Sequence, residues 1–188
     1  MTDPREATGG VWPMGVPIGQ SWFELGALAW LCGQYEIESF VELGILEGGL
    51  SSVLLGRTMF AKDFRYLGIE NEMRLLDLRV KAAGDWFKRF EIWEVDAFEN
   101  ETIESITFWI RKSSNPALIY CDNGDKPREL ETYSKILRHG DLIAAHDFNR
   151  EYKFKDLKVP KNFTRIESDW LTDTHIIAFA KGGVLTNE

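Results

Sequence analysis

Apolar positions along this chain fall into short blocks that alternate in period. Trp22, Leu25, Ala29 and Cys32 recur at helical spacing, which predicts an amphipathic helix over about 20–33. SFVEL (39–43) is a short apolar run, and LSSVLLGRTMF (50–60) reads as helix. RYLGIE (65–70) is a second strand, and Met73, Leu76, Val80 and Ala83 mark a helix by steps of three and four. FEIWEVD (90–96) is a third strand, followed by helical ETIESITFWIRK. ALIYCD (117–122) is a fourth strand, Leu130, Tyr133 and Leu137 mark the next helix, and DLIAAHDF (141–148) is a fifth strand. FTRIES (163–168) and HIIAFAK (175–181) add two strands with little helix between them.

Several of the first five strands are nearly unbroken apolar runs, the signature of strands buried on both faces. Strand–helix alternation at this spacing predicts a doubly wound, Rossmann-like α/β domain: a mostly parallel seven-stranded sheet, helices on both faces, and an antiparallel hairpin at one edge. Residues 1–19 hold glycines and prolines without a period and read as a loose arm, folded over a site through Trp12 and Met14; residues 20–188 read as one domain.

The chain has 188 residues, 44% hydrophobic and 28% charged, which suits one globular domain. No apolar run approaches the roughly 20 residues that span a bilayer. The amino terminus shows no secretory pattern, so the expected location is cytoplasmic. Cys32 and Cys121 are too few for a disulfide framework. The formal net charge of -8 argues against a nucleic-acid partner. Residues 150–165 depart from that average, with six basic and two acidic residues. They read either as a solvated loop or as an attractor for an anionic small-molecule acceptor. A homodimer is the expected assembly only in so far as small members of such a fold often pair.

The first strand runs into a glycine loop, Glu42-Leu43-Gly44-Ile45-Leu46-Glu47-Gly48-Gly49-Leu50-Ser51. Ligands in open α/β sheets sit beyond such strand ends. A phosphate-binding P-loop needs lysine where Leu50 stands, and the dinucleotide fingerprint needs glycine where Leu46 stands. Glu47 inside the loop would repel a pyrophosphate. Glu42 and Glu47 suit a ligand with a cationic part, such as S-adenosylmethionine with its sulfonium and amino group.

The run from Glu42 through Gly44, Gly48 and Gly49 to Ser51 resembles motif I of the class I S-adenosylmethionine-dependent methyltransferases. Its form is similar to the branch holding cephalosporin-hydroxylase-like and macrocin O-methyltransferase-like proteins, and more distantly to the catechol O-methyltransferase group. The resemblance covers about residues 20–181. It implies Glu70 as ribose ligand, and Asp96, Ala97 and Phe98 at the adenine. The plainer reading of Asp96 is a helix cap.

The fourth and fifth strands end in Tyr120-Cys121-Asp122-Asn123-Gly124-Asp125-Lys126 and Ala145-His146-Asp147-Phe148-Asn149. Adjacent strands would bring Asp122, His146 and Asp147 together as a site for Mg²⁺ or Mn²⁺. The resemblance implies the same three ligand positions, although relatives carry an acidic residue where His146 stands. It also implies a catalytic lysine three residues after the aspartate, whereas Lys126 follows Asp122 by four. His146 is alternatively a general base, with Lys126 assisting electrostatically. The plainer reading makes the aspartates polar strand ends and His146 a hydrogen-bonded histidine. The expected activity is O-methylation of a small hydroxylated metabolite. A metal-dependent, hydroxylase-like enzyme and a catalytically silent cofactor-binding module are the alternatives.

Overall fold

A computed structural model of the chain describes residues 10–12 and 15–183, with side chains from residue 15 onward. Seven strands form one sheet: β3 (Ser39–Leu43), β4 (Arg65–Glu70), β5 (Phe90–Glu94), β6 (Ala117–Cys121), β7 (Leu142–Ala145), β8 (Phe163–Arg165) and β9 (Ile177–Lys181). Their order is β5-β4-β3-β6-β7-β9-β8. The first five pair in parallel, and β9 runs antiparallel to both β7 and β8. The expected parallel sheet with an antiparallel edge pair is therefore what forms.

Helices cover both faces. Alternate strand residues face α1 (Trp22–Gln34), α2 (Gly49–Phe60) and α3 (Leu78–Trp86) on one side, where Phe40, Tyr66, Phe90, Leu118 and Tyr120 are buried. The other side packs Val41, Leu67, Ile119 and Ile143 against α4 (Asn100–Ile110) and α5 (Lys126–Tyr133). The strands read as continuous apolar runs because both faces are covered. Only the four-residue helix α6 (Asp169–Thr172) lies between β8 and β9.

Three boundaries differ from the periodic pattern. Met73 and Leu76 precede α3 rather than belonging to it, because Asp77 caps the helix by accepting from the Arg79 N–H. Leu76 is still buried, so a turn carries it to the core that the helix was expected to reach. Leu137 likewise lies past the end of α5 and is buried from a loop. The arm is not loose where it is described. β1 (Gly10–Trp12) and β2 (Val16–Ile18) pair as an antiparallel hairpin, and Val16 and Ile18 are buried. Met14 and the Trp12 side chain lie outside the described residues.

The chain winds outward from β3 through β4 to β5, then crosses back to β6 on the other side of β3. The carboxyl ends of β3 and β6 therefore flank the topological switch point, where open α/β sheets leave a crevice. Cys121 is in register with Leu43 and with Ala145, so the residues following all three strands meet there.

Candidate functional site

A cavity of about 500 Å³ opens at this switch point. Its walls include Glu42, the loop from Gly44 through Glu47, Glu70 and Glu72 on one side, and Asp122, His146 and Asp147 on the other. Six lining residues are carboxylic acids, and none is lysine or arginine. That wall suits a cationic ligand, as expected from Glu42 and Glu47. None of the basic residues of 150–165 lines it. Lys158, for example, pairs with Glu131 at 3.3 Å on the surface.

The loop keeps its course through two glycines pressed against the chain's own backbone. Gly44 has φ +82, and a Cβ there would lie 2.7 Å from both the Asn123 Cα and the Asp122 carbonyl oxygen. Gly49 opens α2 under the hairpin, where a Cβ would overlap the Pro17 carbonyl and lie 2.5 Å from the Ile18 Cα. Both close approaches are made by neighbouring segments of the chain. Gly48 is the N-cap of α2 and faces Leu76 and Val80. Leu46, the residue that breaks the dinucleotide pattern, still adopts the left-handed conformation that glycine would favour, with φ +48.

Glu70 ends β4 and accepts four backbone N–H groups. One oxygen takes Ile45 at 3.1 Å and Leu46 at 2.9 Å; the other takes Asn71 at 2.9 Å and Glu72 at 3.0 Å. The residue expected at a ribose thus also holds the glycine loop to the sheet. Glu42 is buried. It accepts from the Tyr66 hydroxyl at 2.5 Å and from the Ser51 hydroxyl at 3.1 Å. Burial pushes its carboxyl up to about 8 against those hydrogen bonds, and the charges of Asp122 and Glu70 push the same way. Ser51 was expected at the cofactor; it is fully buried, does not line the cavity, and fixes Glu42 instead.

Asp96, Ala97 and Phe98 are not brought into the cavity. Asp96 accepts from the Phe98 N–H at 2.8 Å in a local turn, and Phe98 lies beneath the Arg128 guanidinium at 3.8 Å. Ala97 is buried, and its carbonyl accepts from the Tyr133 hydroxyl.

The reactive side converges as the strand ends predicted. His146 Nδ1 lies 3.3 Å from Asp122 Oδ1 and 3.4 Å from Asp147 Oδ2. Lys126, buried at the start of α5, places Nζ 3.2 Å from Asp147, 3.7 Å from Asp122 and 2.8 Å from Glu151. Asp147 reaches this position in the left-handed conformation, with φ +56. Non-glycine residues held there cost about 1–3 kcal/mol and cluster at functional sites.

Three further residues complete the cluster and were not legible as site residues. Gln20 donates from Nε2 to Asp122 Oδ2 at 2.8 Å. Glu24, on α1, lies 3.2 Å from His146 Nε2 and accepts from the Ser21 N–H at 2.6 Å. Its signal in the sequence is the capping box Ser21-Trp22-Phe23-Glu24, an acid inside an apolar helix face. Glu151 follows β7 in a loop without periodicity, so nothing local marked it.

These contacts set the protonation states. Burial disfavours charge on His146, but hydrogen bonds to Asp122 and Glu24 outweigh it and raise the imidazole to about 10. Burial also pushes Glu24 up, yet the His146 contact and the Ser21 N–H hold it at about 2. Burial raises Asp122 despite the His146 contact. Burial works against the Lys126 charge, and Glu151, Asp122 and Asp147 together raise it above its ordinary value. At neutral pH both nitrogenous groups carry a proton.

The same geometry bears on a metal. Asp122, His146 and Asp147 offer ligand atoms within 4.8 Å of one another, a span that one ion could bridge. As they stand they do not fit a divalent cation. The obstacle is not His146, whose Nε2 faces Glu24 as the far nitrogen of a metal-bound imidazole commonly faces a carboxylate. The two aspartates are already bridged by the Lys126 ammonium.

The sequence matches no family model and no curated protein. Solved structures do match. A structure of the protein cmcI labelled with SAH superposes with a TM-score of 0.65 at 14% identity, over 94% of this chain and 84% of that one. A second cmcI structure, labelled Mg-SAM, gives 0.60 at 15% identity, over 73% of this chain and 57% of that one. A Klebsiella pneumoniae protein provisionally named an O-methyltransferase gives 0.59 at 16% identity, over 90% and 84%. At these identities the likeness establishes the fold alone, a Rossmann-like α/β domain with a mostly parallel seven-stranded sheet. No helix among the described residues is long and apolar enough to cross a membrane.

Proposed function

We propose that the protein binds S-adenosylmethionine and transfers its methyl group to an oxygen of a small hydroxylated acceptor. The observation that carries this reading is the single cavity joining the Gly44–Glu47 loop to the Asp122, His146 and Asp147 cluster, with a wall of carboxylates and no lysine or arginine. The sulfonium and amino groups of the donor match that wall, whereas a pyrophosphate does not. The solved structures of the same fold labelled with SAH and with SAM support the choice of ligand.

Glu42 faces the donor's amino group. A cation beside it favours the carboxylate, so the proton that burial retains at neutral pH leaves on binding. The acceptor hydroxyl lies at the β6 and β7 ends. Its proton passes to the Asp122 carboxylate, whose raised pKa makes it the better base. The Lys126 ammonium and the His146 imidazolium hold the developing oxyanion, which attacks the methyl carbon in line. The carbon–sulfur bond breaks, and its electron pair returns to sulfur as a neutral thioether.

Calorimetric titration with S-adenosylmethionine, with NAD as the control, tests the first half. Micromolar affinity for the donor alone is expected. Absence of donor binding, or preference for NAD, overturns the reading. Release of S-adenosylhomocysteine across a panel of small phenols, enols and alcohols tests the second half.

A further inference from the structure

Asp122 and Asp147 stand at neighbouring strand ends, and the same two nitrogen atoms meet them both. Lys126 Nζ lies 3.7 Å and 3.2 Å from their nearest oxygens, and His146 Nδ1 lies 3.3 Å and 3.4 Å from the same two atoms. The pattern is a closed ring of two carboxylate oxygens and two nitrogen atoms. Lys126 has little freedom to leave it. Its side chain is 6% exposed, and a third carboxylate, Glu151, takes the ammonium at 2.8 Å. His146 has no freedom to turn, because Glu24 holds its far nitrogen at 3.2 Å. An ion bound by both aspartates at roughly 2.1 Å would enter the space these nitrogens face. A double charge would meet a buried ammonium whose partners among the described residues are the ion's own ligands and Glu151.

We infer that the Lys126 ammonium takes the place of a divalent cation at this cluster, so that the site works without a metal. A lysine ammonium is a compact point charge with three donors, which matches three converging carboxylates better than a planar guanidinium would. The assignment concerns only the cation at the cluster. It rests on the methyl-transfer reading solely for its consequence, that the acceptor oxyanion meets an ammonium rather than an ion.

Titration of the full chain with MnCl₂ tests it, followed by the paramagnetic resonance of free Mn²⁺ and by calorimetry. Lys126→Met and Lys126→Gln are compared with the unaltered chain, and circular dichroism reports whether each has folded. The expected result is no Mn²⁺ uptake by the unaltered chain below millimolar concentration. Removal of the ammonium frees Asp122 and Asp147, and affinity rises at least roughly tenfold in either folded variant. Two results overturn the assignment: Mn²⁺ binding by the unaltered chain as tight as in the variants, or no binding by any of the three. Donor affinity is titrated on the same samples with a chelator present. Loss of the methyl-transfer reading would show there, independently of the Mn²⁺ result.

Discussion

At the β3 end of the cavity Glu70 rests among four backbone N–H groups, and Glu42 keeps its proton beside two hydroxyls. At the β6 and β7 end Asp122, Asp147 and Glu24 face an ammonium and an imidazolium instead. Both ends bury carboxylates, but the first manages them with dipoles and protonation and the second with full charges. The difference matters for what each end can bind. Dipoles and a titratable acid leave the first end open to an incoming cation. The second end carries its own cations, so it is arranged to meet an anion that forms during a reaction. Each end also holds a strained residue at the cavity, Leu46 at φ +48 and Asp147 at φ +56, the latter followed by Asn149 at φ +66. At Leu46 the strain lets the loop N–H reach Glu70; at Asp147 it turns the residue back toward Lys126.

The comparison breaks most sharply if His146 is removed. His146→Phe leaves Glu24 without its cation and Asp122 with Lys126 alone, and the expected loss is about 3–5 kcal/mol in urea unfolding at neutral pH. The pH dependence follows from the raised imidazole. The stabilisation is complete below its ordinary pKa of 6.5 and is lost as pH rises through about 10. The unaltered chain should therefore lose stability across that window, and the His146→Phe chain should lose less.

The next largest effect belongs to the glycine loop. Gly49→Ala forces the hairpin off α2, because the added carbon would overlap Pro17 and Ile18. Overpacking of this kind costs about 1–3 kcal/mol. Hydrogen exchange should show Val16 and Ile18 losing protection while the sheet retains it.

Glu42→Gln sharpens the contrast in the opposite direction. A carboxyl raised to about 8 in the folded chain weakens stability as pH rises from 4.5 toward 8, because only the unfolded chain ionises freely. The amide cannot ionise. The variant should gain on the parent in thermal melts at pH 9 relative to pH 5, and donor binding at pH 7 should lose its proton release, read from the dependence of binding heat on buffer.

The smallest effect is expected at Leu46. Leu46→Gly relieves the left-handed strain but adds chain entropy to the unfolded state, so the net gain should stay below about 1 kcal/mol. A loss instead would show that the exposed Leu46 side chain contributes contacts that outweigh its strain.

Much of the architecture was legible because secondary structure answers to local period. The runs 39–43 and 65–70 coincide with β3 and β4, and 117–122 and 141–148 bracket β6 and β7. The helix containing Met73 failed because a cap at Asp77 outranks spacing, and the hairpin was missed because its partner, α2, lies in a different segment. Of the site, the convergence of Asp122, His146 and Asp147 followed from the adjacency of β6 and β7, while Lys126 reaches them from the start of α5. The places of Ser51, Asp96 and Phe98 did not follow, since a strand end fixes where the backbone goes and not which way a side chain turns.

What the sequence by itself determined is the order of elements, the burial of the strands on both faces, and the carboxylate-rich character of the strand ends. Each of these depends on residue type at a spacing of two to four. What only the tertiary structure decided is how those carboxylates are neutralised. Glu24 meets His146 across 122 positions, and Gln20 meets Asp122 across 102. Charge state depends on burial and on partners within a few ångströms. Those partners come from segments whose spacing in the chain carries no trace of their contact.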